Sequence, residues 1–525
     1  MVTLRPMGER AILAEVDDLA RVLGLHAALA ASPPAGVDDL VPAARTVLVA
    51  FDPARIAPAA VRAWILSVGQ TPPDATAPGA LVEIPTRYDG SDLDETAALL
   101  GIRPAELVAR HAGAEWTVAF TGFAPGFAYL VSDAWPHDVP RLAQPRTRVP
   151  AGSIGLAGGF SGAYPRETPG GWRLIGTTDA PLFVPDAADP VLLAPGGRVR
   201  FVPLRAAVSA AAGGDSASGG ADFAAASSDP GIPSRRVRPS GDPALLVLAP
   251  GALATVQDLG RPGRAALGVA RSGALDRGAL RIANRLVGNA EDAAGVEIVL
   301  GGFRAVAERD TWVAVTGALG DLHLDGRAVD AYTPVFLPAG AELSIGVARG
   351  GARFVLAVRG GVTGPETLGS RSTDVLASLG PPALRTGAVL RAGEASHPIP
   401  VVDVFPWSVP DASIDVDLAP GPRADWFTPA ARRTLSEATW TVSRDADRVG
   451  IRLDGPALER VRHDELPSEG MRPGAVQVPP HGRPVILLAD GPVTGGYPVI
   501  AVVTDAALDR LAQVRPGDHV RFRGA

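Results

Sequence analysis

VPAGSIGLAGGFSGAYP, residues 149–165, and VPPHGRPVILLADGPVTGGYP, residues 478–498, are the two segments on which the fold reading turns. Each opens on Val-Pro, runs through short apolar stretches broken by glycine, and closes on a Gly-x-Tyr-Pro or Gly-Gly-Tyr-Pro turn. Such glycines let backbones approach closely, and the residue before proline is pushed to an extended exit. A second pair follows in the same order, PGGRVRF (195–201) and PGDHVRF (516–522). Taken alone, this shorter pair reads equally well as a turn entering a half-buried strand. Two elements recurring in one order instead predict two related barrels, one closing each half of the chain.

Working outward, residues 81–205 keep the same rhythm of short β-branched and aromatic runs between Gly and Pro, as in WTVAF, GWRLIGT and GRVRFVPL. This is the pattern of a barrel or sandwich. Residues 1–80 differ: Arg10–Val16 and Thr46–Phe51 read as strands, and Asp17–Ala31 and Ala57–Val68 have helical apolar spacing. Together they predict a small α/β domain. A further helix is expected over Asp92–Ala98. Residues 206–240 are rich in Ala, Gly, Ser and Asp and too poor in large apolar groups to offset ordering, so a flexible linker is expected there. Residues 241–525 return to strand patterns, with one strong helix expected over Ala274–Val287 before a Gly-Asn stop. The fold class predicted is mainly β, with an α+β N-terminal domain and a barrel in each half.

Composition narrows the chemistry. At 525 residues the chain should divide into roughly three or four packed bodies, and 61 Gly with 50 Pro argue against a mainly helical protein. A net charge of −7 offers no surface for nucleic acid or an anionic membrane. The absence of a signal-like N-terminus or a long apolar run points to a cytoplasmic protein. There is no cysteine and no lysine: all 49 basic residues are arginine. That excludes a thiolate nucleophile, a P-loop lysine, a Schiff base, a Ser-Ser-Lys amidase and a biotinylated lysine on this chain. The eight histidines lack ligand-like spacing, so no metal site is expected.

Several longer motifs carry a family resemblance. FTGFAPGFAYL (120–130), PRTRVPAGSIGLAGGFSGAYP (145–165) and PGGWRLIGTTDAPLF (169–183) resemble the smaller of the two small subunits in the bacterial 5-oxoprolinase family, also called the allophanate-hydrolase-subunit or carboxyltransferase-domain family. TVQDLGRPG (255–263), GVARSGALDRGALRIANRLVGN (268–289), LGSRSTD (368–374) and SEGMRPGAVQVPPHGRPVILLADGPVTGGYPVIAVV (468–503) resemble the larger one. Thr177 stands where relatives carry arginine. The resemblance implies cyclophilin-like β-barrels in both halves and a fusion of two subunits that normally associate. It also implies kinship with a kinase-inhibitor protein pair and with the carboxyltransferase domain of urea carboxylase. The activity implied is ATP-dependent opening of 5-oxoproline to glutamate, with a separate third subunit, of the lactam-utilisation type, as partner.

Within these motifs thirteen residues are candidate ligand contacts. Arg146 and Arg148 can fork to a carboxylate or phosphate, or pair with local acids at the surface. Gln257, Asp258 and Arg261 lie in a Gly- and Pro-rich turn, where Asp258 reads better as pinning the turn. Arg371 and Ser372, beside Asp374, suit either an anion cradle or a helix N-cap. Gln477, Asp490 and Thr494 are polar positions of the long C-terminal motif. Tyr164, Tyr497 and Trp172 read first as core rings, and second as groups that cover a ligand. No catalytic residue is singled out. With no GxxxxGK loop, ATP recognition falls to arginines and backbone amides or to the partner protein.

The leading expectation places the ligand at the junction of the two halves, collecting cations from both. Competing readings are carboxyl transfer using carboxybiotin from another protein, and a non-catalytic, kinase-regulating binding module. A homo-oligomer is compatible with each.

Overall fold

The computed structural model describes residues 2–69, 80–204, 241–401, 405–408 and 411–524. The expected linker, 206–240, lies outside the described residues.

The N-terminal strands Thr3–Pro6, Ala11–Glu15, Thr46–Phe51 and Val37–Pro42 form an antiparallel sheet in that spatial order. AILAE and TVLVAF are apolar at nearly every position rather than alternately, which is the signature of strands buried on both faces. One face, with Ile12, Ala14, Val47, Val49 and Phe51, packs on Val22, Leu25, Leu29, Val61 and Ile65 of the helices Leu19–Ala31 and Pro58–Gly69. The other face, with Ala11, Leu13, Leu48 and the neighbouring Met7 and Val41, packs on Met471, Ala475, Leu487, Val499 and Val502 from the far end of the chain. The first helix starts two residues later than its apolar spacing suggests. Asp18 serves as its cap, accepting from Arg21 N at 2.8 Å.

Residues 81–203 build a seven-stranded sheet whose first and last strands, Leu81–Thr86 and Arg198–Pro203, pair in parallel. A bridge between Arg87 and Thr177 links its two edges. Residues 413–524 form a closed barrel of seven strands in which Ser413–Pro420 and His519–Gly524 pair in parallel in the same way. PGGRVRF and PGDHVRF therefore occupy equivalent closing strands. The repeat extends beyond the motifs. In each barrel a helix begun by proline, Pro104–Gly113 or Pro429–Glu437, precedes a strand whose tryptophan is fully buried. Trp116 Nε1 donates to His111 O and Trp440 Nε1 to Leu435 O, each at 3.1 Å.

Between the barrels, residues 242–392 form two packed sheets of seven and five strands with their own core, a body not separated in the sequence reading. The strong helix lies over Arg277–Leu286, three residues shorter at its start than expected. Ala274 N and Leu275 N are taken by Asp258 O and Glu297 Oε2, and Asp276 caps the helix by accepting from Ala279 N.

His111 shows how tightly the N-terminal barrel is closed. It is fully buried, with Nδ1 2.8 Å from the Tyr88 hydroxyl and Nε2 2.8 Å from Ser161 Oγ. Burial pushes its pKa down to about 3, against about 6.5 in an unfolded chain. Between these values the unfolded chain takes up a proton that the native barrel refuses, so stability is full above pH 6.5 and falls as pH is lowered. The expected loss is about 2 kcal/mol at pH 5. Urea unfolding at pH 7.5 and 5 should show this slope in the wild type and a flatter one in His111→Gln. Equal slopes would assign the acid sensitivity to other groups.

Candidate functional site

The seam between the N-terminal sheet and the C-terminal barrel is clamped from both sides. Asp39, on the strand Val37–Pro42, accepts from Gly263 N and Ala265 N, both at 3.0 Å. The FTGF loop meets the same segment, with the Thr121 hydroxyl on Ala266 O and Gly126 N on Leu267 O. Close approach is forced at Gly122, where a Cβ would fall 1.9 Å from Thr494 Oγ1. Phe123, at φ +63°, donates its N–H to that oxygen at 3.2 Å. The signature motifs of the two halves thus meet one another.

Along this seam opens a cavity of about 310 Å³, lined by Asp38, Leu48, Ala50 and Asp52 from the N-terminal domain and, from the rest, by residues within 265–281, residues 471–473, 487–489 and 491–493, and residues within 505–512. Five arginines line it, Arg10, Arg271, Arg277, Arg281 and Arg472, against four aspartates, Asp38, Asp39, Asp52 and Asp505. Their pairing is uneven. Arg10 bridges Asp52 at 2.9 Å and Asp505 at 3.1 Å, and Arg277 holds Asp505 at 2.7 Å. Burial would raise Asp505, but Arg277, Arg10 and Arg472 together hold it below its ordinary value. Arg281 leans toward Glu291 at 3.7 Å, and Asp39 is spent on backbone amides.

Two cations remain. Among the described residues Arg271 has only a long hydrogen bond, 3.4 Å, to Leu259 O. The Arg472 guanidinium has no hydrogen-bond or ion-pair partner among the described residues. Burial lowers both, Arg472 to about 10, with the neighbouring arginines adding to the effect. Asp38, facing them, is raised by burial despite Arg271. Two under-neutralised guanidinium groups in a half-enclosed cavity form a site for a small anion, carboxylate or phosphate.

None of the thirteen residues expected from the motifs lines this cavity. Several build its floor instead. Asp258 accepts from Gly260 N, Ser370 Oγ, Ser372 Oγ and Arg371 N at 2.5–2.8 Å. The two serine hydroxyls of LGSRSTD therefore face that carboxylate, while Thr373 Oγ1 donates to Pro381 O at 2.8 Å, and no helix follows them, so the segment is neither an anion cradle nor a helix N-cap. Gln257 donates to Thr255 Oγ1 and Thr373 O, and Arg261, 1% exposed, donates to Ser372 O. Asp490, fully buried, accepts from Ser272 Oγ at 2.7 Å and from Arg448 at 2.9 and 3.1 Å. Ser272, at φ +56°, is held there and fixes the loop that presents Arg271.

The others lie apart. Arg146 bonds Asp92 at 2.6 Å inside the N-terminal half, and Arg148, 75% exposed, pairs with Glu167. Arg371 pairs with Glu366 at 2.8 Å. The expectation that Arg146, Arg148, Gln257, Arg261 and Arg371 converge on one cleft is not met. Tyr164 and Trp172 are core rings, whereas Tyr497 is 44% exposed, against the core reading made for it. Gln477 Oε1 lies 3.8 Å from where a Cβ on Gly495 would stand, and Thr494, outside the cavity, is the residue that meets Gly122 and Phe123 at the seam. Arg271 and Arg472 sit inside quoted motifs, but their role depends on contacts made across the seam. Among the described residues no group of three or more His, Asp or Glu is placed to hold a metal ion, and no helix is long and apolar enough to cross a membrane.

Comparison with known proteins follows the same division. Residues 2–193 match the model for the carboxyltransferase domain, subdomains C and D, and residues 267–524 match that for subdomains A and B. The C subunit of 5-oxoprolinase from Escherichia coli K12 is 37% identical over 285 residues, 53% of this chain and 90% of that protein. The B subunit of 5-oxoprolinase from Escherichia coli O157:H7 is 47% identical over 130 residues, 24% of this chain and 60% of that protein. The crystal structure of TTHA0988 superposes with a TM-score of 0.83 at 35% identity, covering 98% of this chain and all of that one.

Proposed function

Because the chain belongs to the carboxyltransferase-domain family, with an N-terminal half homologous to the B subunit of 5-oxoprolinase and a C-terminal half homologous to its C subunit, we propose that it is the fused pair of small subunits of an ATP-dependent 5-oxoprolinase. It opens 5-oxoproline to glutamate in a complex with a separate protein of the lactam-utilisation type. The observation that carries this reading is the cavity between the halves, where Arg271 and Arg472 lack full counter-charges. A lactam is a stable amide, and opening it with ATP passes through phosphorylated, anionic species that cations orient and stabilise. The ligand's carboxylate or a phosphoryl group would lie against Arg271 and Arg472, and the Asp258 and Asp490 networks would hold the loop beneath rigid.

The purified chain alone is expected to show no appreciable ATP-dependent glutamate formation from 5-oxoproline. Adding the lactam-utilisation protein is expected to produce it, with ATP hydrolysis in step. Turnover by the chain alone would overturn the division of labour. No turnover with the partner, together with carboxyl exchange from carboxybiotin, would favour the carboxyltransferase reading that the family's name suggests.

A further inference from the structure

A second cavity, of about 170 Å³, lies at the other end of the same seam. Thr46 lines it, while Leu48 and Ala50, two and four residues further on the same strand, line the first cavity. Alternate residues of a strand share a face, so one strand face serves both. Between them Leu48 is pressed against Gly470, where a Cβ would lie 2.5 Å from Leu48 Cβ. The contact leaves two separate compartments.

Three side chains lining the second cavity carry a buried polar atom with no hydrogen-bond partner among the described residues: Thr46 Oγ1, Trp426 Nε1 and Glu469 Oε2. All three residues are at most 5% exposed. Native proteins satisfy nearly all such atoms with protein, water or ligand, so three around one cavity mark it as a place built to be filled. The charges are also divided. Arg423 donates to Glu469 Oε1 and to both oxygens of Glu15, and Arg5 donates to Glu15 at 2.6 Å. These four groups neutralise one another, apart from Glu469 Oε2. Among the described residues the Arg45 guanidinium makes no hydrogen bond, although its charge is felt by Asp17, and Arg462 lies over the Trp426 ring, 5.8 Å from its centroid, outside any ion pair.

The cavity therefore offers one unpartnered carboxylate oxygen, one unpartnered indole N–H, and two guanidinium groups, Arg45 and Arg462, that form no ion pair with its glutamates. A dianion would leave Glu469 repelled, and a simple amine would leave the arginines unanswered. We propose that this cavity is a second, non-catalytic binding site for a small zwitterionic amino acid, its ammonium turned to Glu469 and its carboxylate to Arg45, Arg462 and Trp426 Nε1. Four arginines against two glutamates leave an excess of two positive charges, which favours an amino acid with an acidic side chain.

The test is calorimetric titration of the full chain with L-glutamate, in an Arg472→Ala background so that the first cavity contributes little. Saturable binding is expected, weakened tenfold or more by Trp426→Phe, which removes the indole N–H but keeps a ring, and by Arg462→Ala at an exposed position. Glutarate, which lacks the ammonium, should bind at least tenfold more weakly than L-glutamate. No binding of L-glutamate would overturn the proposal, as would unchanged affinity in both variants. Equal affinity for glutarate, or tighter binding of inorganic phosphate, would make the cavity an anion site and overturn the assignment to Glu469.

Discussion

Arg448→Ala is expected to lower the stability of the C-terminal half by about 3–5 kcal/mol, the cost of stranding buried carboxylates without their partner. The side chain is 2% exposed and donates to Glu297 at 2.6 Å, to Asp490 at 2.9 and 3.1 Å, and to Gly273 O at 2.6 Å. Burial alone would lower its pKa, but Glu297 and Asp490 override this and raise it, so it stays charged throughout. Without it, two carboxylates that are at most 1% exposed face one another, and each gains by binding a proton. Folded-state pKa values raised in this way make stability largest at low pH and smaller as pH rises. The variant's deficit should therefore be smaller at pH 5 than at pH 8. Thermal unfolding should show a fall of roughly 10 °C. A loss below about 1 kcal/mol would mean that the network is not held by this arginine.

The second large effect is on function. Arg472→Ala should lower the coupled activity about a hundredfold, the scale of losing a charge-assisted contact to an anion, and leave the melting temperature equal to or above that of the wild type. The sign follows from its lowered pKa: the native state disfavours the proton, so below about pH 10 the charge costs stability and its removal does not. Arg148→Ala and Arg371→Ala, whose side chains pair with Glu167 and Glu366 away from the cavity, should leave activity near that of the wild type. A fall in melting temperature with full activity in the surviving Arg472→Ala protein would assign Arg472 to structure.

The contrast between these arginines shows what the chain reveals by itself. The N-terminal elements are legible because TVLVAF, and the helical spacings over 17–31 and 57–68, are local signals. Helix starts move inward at Asp18 and Asp276, where a carboxylate takes a backbone N–H and ends the turn before it. The barrel repeat is legible in two motifs, and Trp116 and Trp440, each following a proline-initiated helix, strengthen it. Arg146, Arg148 and Arg371 stand out because they lie in dense motifs, but each has an acid within reach in its own half. Arg472 differs in forming no ion pair among the described residues, because the acid that acts on it, Asp505, is already held by Arg10 and Arg277. That property is visible only once residues 38–52 have been brought against 471–493, a pairing that neither periodicity nor turn chemistry encodes.

The sheet buried on both faces has a consequence for how the chain is made. Met7, Ala11, Leu13, Val41 and Leu48 leave the ribosome early, but the residues that cover them come more than four hundred positions later. At about 5–20 residues per second that apolar face waits on the order of twenty to eighty seconds for its cover. In a two-chain version the wait would also depend on the concentration of the other chain. A covalent tether replaces that dependence with a fixed effective concentration, in the millimolar range for short flexible connections. Fusion thus turns an assembly step into a step of folding, and equal stoichiometry of the two halves follows from synthesis itself.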